Sequence, residues 1–303
     1  MGLGAGAQST VLANSRYLEL AVCTEYNVIG MVVEYDVIGF WTEVKHSIIK
    51  EYASVYSAIL TNKGFHHIYI DAFAGPGEQI SKSTKTLVSG SPKIALDIEP
   101  PFNEYYFIDL DQEKVAELSR IAKGKPNVHV FRGDCNELLL AKVFPKVKWK
   151  DYRRGLCILD PYGLDLKWDV IKKAGEMETI DMFLNFPIQD INRNVLRRDR
   201  NCVYPGSIDR MNNFWGDDTW IEKGFSEVGN MFGYPTKVDN ETFAMAFQKR
   251  LCNEAGFKYV PRPLPMKNSM NSTVYYLFFA SQQDVALYII NDIFRKYRIL
   301  GAG

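Results

Sequence analysis

Between residues 41 and 62 the apolar side chains Val44, Ile48, Ile49, Tyr52, Val55, Tyr56 and Ile59 recur at three- and four-residue spacing. With 3.6 residues per turn, that spacing gathers them on one face of a helix. After it, short apolar runs alternate with amphipathic stretches. HHIYIDAF (66–73), EYYFID (104–109), NVHVFR (127–132), GLCILD (155–160) and TIDMFLNF (179–186) read as strands. SPKIALDI (91–98) reads as a helix with Ser91 as N-cap and Pro92 at the first helical position. Further helices are predicted over 111–124, ending at Gly124, over 134–143 and over 168–175. This order predicts parallel strands joined by right-handed crossovers.

Beyond the fifth strand, a connector with helical pieces runs to about 235, and a helix is expected at 240–255. FKYVPRPLP and STVYYLFFA then read as strands joined by the polar loop 267–271. A hairpin there would add an antiparallel strand to a parallel sheet. The expected fold is α/β and Rossmann-like, with a mostly parallel seven-stranded sheet and a C-terminal antiparallel hairpin. Dehydrogenase-type Rossmann folds lack that hairpin.

The chain has 303 residues, enough for one large α/β domain or a domain with an appendage. Residues 1–38 are expected to be an extension, with a flexible Gly/Ala/Ser-rich start, and carry no assigned chemistry. Residues 39–303 form the domain, with 188–237 as a helical or irregular insertion on the substrate side. Hydrophobic residues make up 47% and charged residues 24%, which suits an ordinary core. The formal net charge of zero argues against a strongly basic, sequence-blind nucleic-acid clamp but leaves room for a local basic patch. Cys23, Cys135, Cys157, Cys202 and Cys252 are scattered and form no C-x-x-C pair. That argues for a reducing compartment and against a zinc ribbon. His46, His66, His67 and His129 show no metal-ligand spacing. No apolar run is long enough for a bilayer and no signal-peptide pattern opens the chain, so a cytoplasmic location is expected.

The candidate chemistry sits at predicted strand ends, where open α/β sheets bind ligands. Asp71-Ala72-Phe73-Ala74-Gly75-Pro76-Gly77 follows the first strand. Glycines there let the backbone approach a ligand closely. A pyrophosphate site wants a third glycine, absent here; S-adenosylmethionine (SAM) has no phosphate, and a G-x-G turn suffices for its amino-acid end. A plain tight turn is the competing reading. Asp109 ends the second strand and could accept the ribose hydroxyls, whereas helix-dipole stabilisation fits Asp111 better. Asp134, after the third strand, could accept the adenine amino group or cap the next helix in a box with Glu137; both roles are compatible.

Asp160-Pro161-Tyr162-Gly163 follows the fourth strand. A carboxylate and a main-chain carbonyl can accept the two N–H bonds of an exocyclic amine, and an aromatic ring can stack on the base that carries it. Asp-Pro and Tyr-Gly also favour turns. After the fifth strand come Asn185-Phe186-Pro187 and a run from Asp190 to Arg200. There Arg193, Arg197, Arg198 and Arg200 could meet phosphate or simply form a solvated face. Lys142, Lys146, Lys148, Lys150, Arg153 and Arg154 precede the fourth strand and read as solvated surface. Lys45, His46 and Lys50 on the first helix admit either role.

These pieces together resemble the three-Cys-motif partner protein family (TcmP). The matching segments are Lys45-His46 with Ile49 and Tyr52, then YIDAFAGPG, GSPKIAL, YYFIDLD, GDCNELL, LDPYGLDL, NFP and DINRN, in order between Trp41 and Trp220. The resemblance implies a class I SAM-dependent methyltransferase-like fold and a partner with a three-cysteine motif encoded nearby. The expected cofactor site is Asp71, Phe73, Ala74, Gly75, Gly77, Asp109, Leu110, Asp134 and Cys135. Asp160, Pro161 and Tyr162 are expected to carry the chemistry. Lys45, Asn185, Pro187, Asn192, Arg193 and Asn194 are expected to face the substrate, a nucleic-acid base amine or a partner-derived peptide, with no metal required. The alternative function is a non-catalytic or SAM-binding module that docks the three-cysteine protein.

Overall fold

Apolar runs, most of them rich in β-branched and aromatic residues, form the seven strands of a central sheet. They are β1 His66–Asp71, β2 Glu104–Asp109, β3 Val128–Arg132, β4 Arg153–Leu159, β5 Ile180–Phe186, β6 Leu264–Lys267 and β7 Thr273–Ala280. The computed structural model describes residues 27–28, 31–32, 36–197, 199, 202–229 and 235–299. The spatial order is β3–β2–β1–β4–β5–β7–β6. The strands from β3 to β5 run parallel, and β7 lies antiparallel to both β5 and β6. This is the predicted class I methyltransferase-like Rossmann sheet with its C-terminal antiparallel hairpin.

Alternation along each strand builds two cores. Ile68 and Ile70 of β1 face one side with Cys157, Leu159, Met182 and Leu184. Tyr69 faces the other with Phe107, Leu156, Ile158 and Phe183. Helix α1 Phe40–Asn62 covers the second face, burying Val44, Ile48, Ile49, Tyr52 and Tyr56 as its spacing predicts. Val55 points outward instead. The crossover helices are α2 Ser91–Leu96, α3 Gln112–Ala122, α4 Cys135–Leu138 and α5 Trp168–Glu176. The segment after β5 holds α6 Ile188–Asn194, α7 Pro205–Trp215 and α8 Trp220–Gly224, then a short hairpin of Phe225–Gly229 with Pro235–Lys237. Helix α9 Asn240–Asn253 leads back to the sheet.

Several expectations are corrected. Gly90, not Ser91, occupies the N-cap of α2, and Ser91 is the first residue of the helix. The helix predicted over 134–143 is α-helical only to Leu138 and continues as a π-turn over Leu139–Val143. Only Leu264–Lys267 of the region around FKYVPRPLP joins the sheet as a strand. Pro261 and Pro263 lack the N–H that a ladder needs. Two elements had no counterpart in the sequence reading. The hairpin Glu78–Ser81 with Leu87–Ser89 pairs with Val37–Ile38 in a small sheet, which brings Asp36 beside the carboxyl end of the main sheet. Helix α10 Asp284–Ile299 buries Ala286, Ile290, Ile293, Phe294 and Tyr297 beside α1. The predicted flexible start of the chain lies outside the described residues. No described helix is long and apolar enough to cross a membrane.

Candidate active site

The turn after β1 is built on backbone that side chains resist. Gly75 and Gly77 have φ of 64° and 85°, in the left-handed region where a Cβ is strained. Asp109, at the tip of the neighbouring β2, holds the turn. Its Oδ2 accepts the Gly75 N–H at 2.8 Å and its Oδ1 the Asp111 N–H at 2.9 Å. The Ala74 N–H donates to the Ile108 carbonyl at 3.0 Å. A Cβ placed on Gly75 would meet nothing within 4 Å, so the turn presents bare backbone to open space.

That space is a cleft of about 950 Å³ at the carboxyl ends of the parallel strands. Of the predicted residues it brings together Lys45, Phe73, Ala74, Gly75, Asp160, Pro161, Tyr162, Asn185, Pro187 and Arg193. Trp41, His46, Glu113, Lys114, Glu117, Asp190 and Tyr275 also line it.

At the centre, Lys45 of α1 forms a close ion pair with Asp160 Oδ2, and Asn185 Nδ2 donates to Asp160 Oδ1 at 2.7 Å. The Lys45 side chain is only 6% exposed, so its ammonium depends on this carboxylate. Burial alone would raise the Asp160 carboxyl, but Lys45, with help from Asn185, holds it below the usual range. Burial next to Lys45 pushes His46 down to about 3, so its imidazole is neutral. The Lys45 ammonium also lies 5.7 Å from the Tyr275 ring centroid. Tyr162 is 61% exposed at the rim. Lys114 reaches its hydroxyl at 3.2 Å and pairs with Asp36 at 2.7 Å, joining α3, the Asp-Pro-Tyr-Gly turn and residue 36 across the mouth.

Asp71 is fully buried and does not line the cleft. Its Oδ1 accepts the Phe73 N–H at 3.3 Å, and its Oδ2 has no partner. Burial raises its carboxyl to about 7, against the opposing pull of the Phe73 N–H. The sequence placed it with the cofactor; the structure gives it the foundation of the turn. A carboxyl with a raised folded value binds its proton more tightly when folded, so stability falls as pH rises from roughly 4 to roughly 7. Asp71→Asn retains an acceptor for the Phe73 N–H without the charge. The variant is expected to melt above the parent at pH 8 and together with it at pH 4. Identical pH profiles for the two proteins would contradict this.

The other predicted residues stand back from the cleft. Gly77 lies one step behind Gly75, its carbonyl accepting the Gly90 N–H at 2.8 Å. Leu110 is 72% exposed beyond β2. Asp134 caps α4, accepting from the Asn136 N–H and side-chain amide at 2.8 Å each, so Asn136 closes the cap expected of Glu137. Cys135 is buried in the core of that sheet face. Asn192 bonds Asn240 and Lys237, and Asn194 bonds Asp190. Arg198 and Arg200 lie outside the described residues. Arg153 and Arg154 are half-buried rather than solvated, because Arg153 pairs with Glu104 and Arg154 stacks between aromatic rings. His46 and Asp190 had signals in the matched motifs; Trp41, Lys114 and Tyr275 had none, since folding alone brings them to the mouth. Among the described residues, no cluster of His, Cys, Asp and Glu could hold a metal.

No protein-family model matches the chain, and no curated protein is significantly similar to it. Among solved structures, a Legionella pneumophila protein of the DUF519 family model aligns with a TM-score of 0.51 at 14% identity, over 86% of this chain and 92% of its own. A protein described as a candidate methyltransferase from Thermobifida fusca has a TM-score of 0.39 at 12% identity, over 80% and 82% of the two chains. A SAM-dependent methyltransferase from Aquifex aeolicus has a TM-score of 0.31 at 11% identity, over 79% and 96%. The Legionella likeness is one of fold, and it agrees with the class I methyltransferase-like strand order of the sheet.

Proposed function

We propose that this protein is a SAM-dependent methyltransferase acting on an exocyclic amino group, with a nucleic-acid base as the favoured acceptor. The observation that carries this reading is the Lys45–Asp160–Asn185 cluster, one strand away from a bare glycine turn in a single cleft. The residues present fit SAM. The open face of Gly75 would admit its amino-acid end, and Asp111 and Glu113 along the cleft would suit a cationic ligand. Phe73, Ala74 and Gly75 would hold it. Asp109, buried and off the cleft wall, would act indirectly by holding the Gly75 turn through its two backbone bonds. Bound SAM supplies a methyl group already activated on a sulfonium.

The chain's own residues then position and desolvate the acceptor. Asp160, kept ionised, and the Pro161 carbonyl accept the amine's two N–H bonds, and Tyr162 offers a ring to stack on. Arg193, on the cleft wall, would meet a phosphate of such an acceptor. The electrostatics favour a base over a peptide amine. An alkylammonium must lose a proton held at about pH 10, yet His46 sits near 3 and Asp160 below the ordinary carboxylate value. Lys45 would also repel a second ammonium. A nucleobase amine is neutral from the start. The TcmP resemblance adds a three-cysteine protein to this proposal, as a docking partner rather than as the acceptor.

Calorimetric titration with SAM and its demethylated product is expected to show micromolar binding. Transfer of labelled methyl should then mark RNA or DNA. Millimolar or absent SAM binding would end the reading. Label confined to a co-expressed three-cysteine partner would end the nucleobase assignment, and no label on any acceptor would favour a docking module.

A further inference from the structure

A second cavity, of about 260 Å³, opens at the opposite end of the sheet, between α1 and α10. Ile59, Leu60, Phe65, Ala286 and Ile289 give it apolar walls. Arg154, at the start of β4, reaches into this wall. Its guanidinium is clamped between two rings, 3.9 Å from the Trp149 centroid and 4.5 Å from that of Phe65. The rings partly shield it from water, and burial lowers its proton affinity. One bond is formed, from Nη1 to the Arg153 carbonyl at 2.8 Å. No carboxylate among the described residues lies within the 4.0 Å of an ion pair. A guanidinium has five N–H donors, so most of its edge is unused.

Asp181 lines the same cavity but is already satisfied. Its oxygens accept from the Tyr52 hydroxyl at 2.6 Å and from Ser281 at 2.5 Å, and burial raises its carboxyl to about 6. Tyr56 supplies an independent sign. It is 8% exposed, its ring packs on Phe102, and its hydroxyl has no hydrogen-bond partner among the described residues where it borders the cavity. A partly shielded cation with unused donors and a hydroxyl without a protein partner border one apolar-walled cavity, and a carboxylate can engage both.

We propose that this cavity is a binding site for a small apolar carboxylic acid. The carboxylate pairs with the free edge of Arg154 and accepts the Tyr56 hydroxyl, and its hydrocarbon part lies against Ile59, Leu60 and Ile289. The planar fork of a guanidinium matches a carboxylate in a two-bond pairing. The apolar walls disfavour a bare inorganic anion. The volume lies just below the roughly 300–1,000 Å³ usual for small-molecule sites, which points to a short-chain or single-ring acid. The site is separate from the methyl-transfer cleft and holds whether or not that assignment stands.

Calorimetry and saturation-transfer NMR on the full chain, with hexanoate and phenylacetate as probes and hexanamide and inorganic phosphate as comparators, test this. The acids are expected to bind about tenfold or more tightly than the amide, as a charge-assisted bond requires. Arg154→Gln should lower acid affinity by about tenfold. Tyr56→Phe should lower it severalfold and leave the melting temperature near that of the parent. Should Arg154→Gln fail to fold, the Tyr56→Phe comparison decides. Equal binding of acid and amide, phosphate binding as tight as hexanoate, unchanged affinity in Tyr56→Phe, or no acid binding at all would each overturn the proposal.

Discussion

Asp160→Asn is expected to lower methyl transfer by about 10²–10³-fold, the usual cost of removing a preorganised charge-stabilising group, while SAM affinity stays nearly constant. Asparagine keeps the shape and one acceptor oxygen but removes the charge that would face the proposed acceptor amine as positive charge develops on its nitrogen. It also leaves the Lys45 ammonium, buried to 6% exposure, without a counter-ion. Breaking a buried pair by removing one partner costs about 3–5 kcal/mol. The Asp160 side chain is itself 31% exposed, so solvent screening reduces that cost and about 2 kcal/mol is expected. The double variant Lys45→Met with Asp160→Asn should regain stability and stay inactive. Single-turnover transfer from labelled SAM, read beside melting curves, separates the two effects. Activity at the parent level in Asp160→Asn would remove Asp160 from the chemistry.

Gly175→Ala is expected to destabilise the protein by about 3 kcal/mol, at the upper end for overpacking, and to lower its melting temperature by roughly 5 °C. Two levels of reasoning predict opposite signs. Gly175 lies within α5, where alanine is the better helix former by about 1 kcal/mol. A Cβ there would fall 1.9 Å from the Ala255 carbonyl oxygen, 2.8 Å from its carbon and 3.3 Å from Phe257 Cδ2. The obstacle is backbone and cannot swing aside as a side-chain tip can. Gln282 binds the two segments together, donating to the Gly175 carbonyl at 3.0 Å and to the Gly256 carbonyl at 2.8 Å. Relief of the clash would break that clamp. A variant that melts at or above the parent would show that local helix preference wins and that α5 is free to move away from residue 255.

The same division runs through the whole chain. Periodicity is a local property, and wherever it is strong the sequence alone sufficed: the α1 stripe, the parallel strands with their helices, and the glycine and Asp-Pro-Tyr-Gly turns at strand ends. The terminal helix α10 carried a comparable stripe, Ala286, Ile290, Ile293 and Phe294, that went unread beside the more conspicuous apolar strand before it. The hairpin over 78–89 offers no such stripe; its partners are each other and Val37–Ile38. What no local pattern contains is which distant groups meet. Lys45 finds Asp160 across 115 residues, and that meeting turns a helix-surface lysine into a buried cation and keeps a carboxylate ionised. Asp71 and Asp160 end neighbouring strands with the same side chain, yet one is sealed beneath the turn and the other faces the cleft. Burial and charge pairing set their chemistry, and both are properties of space rather than of chain order.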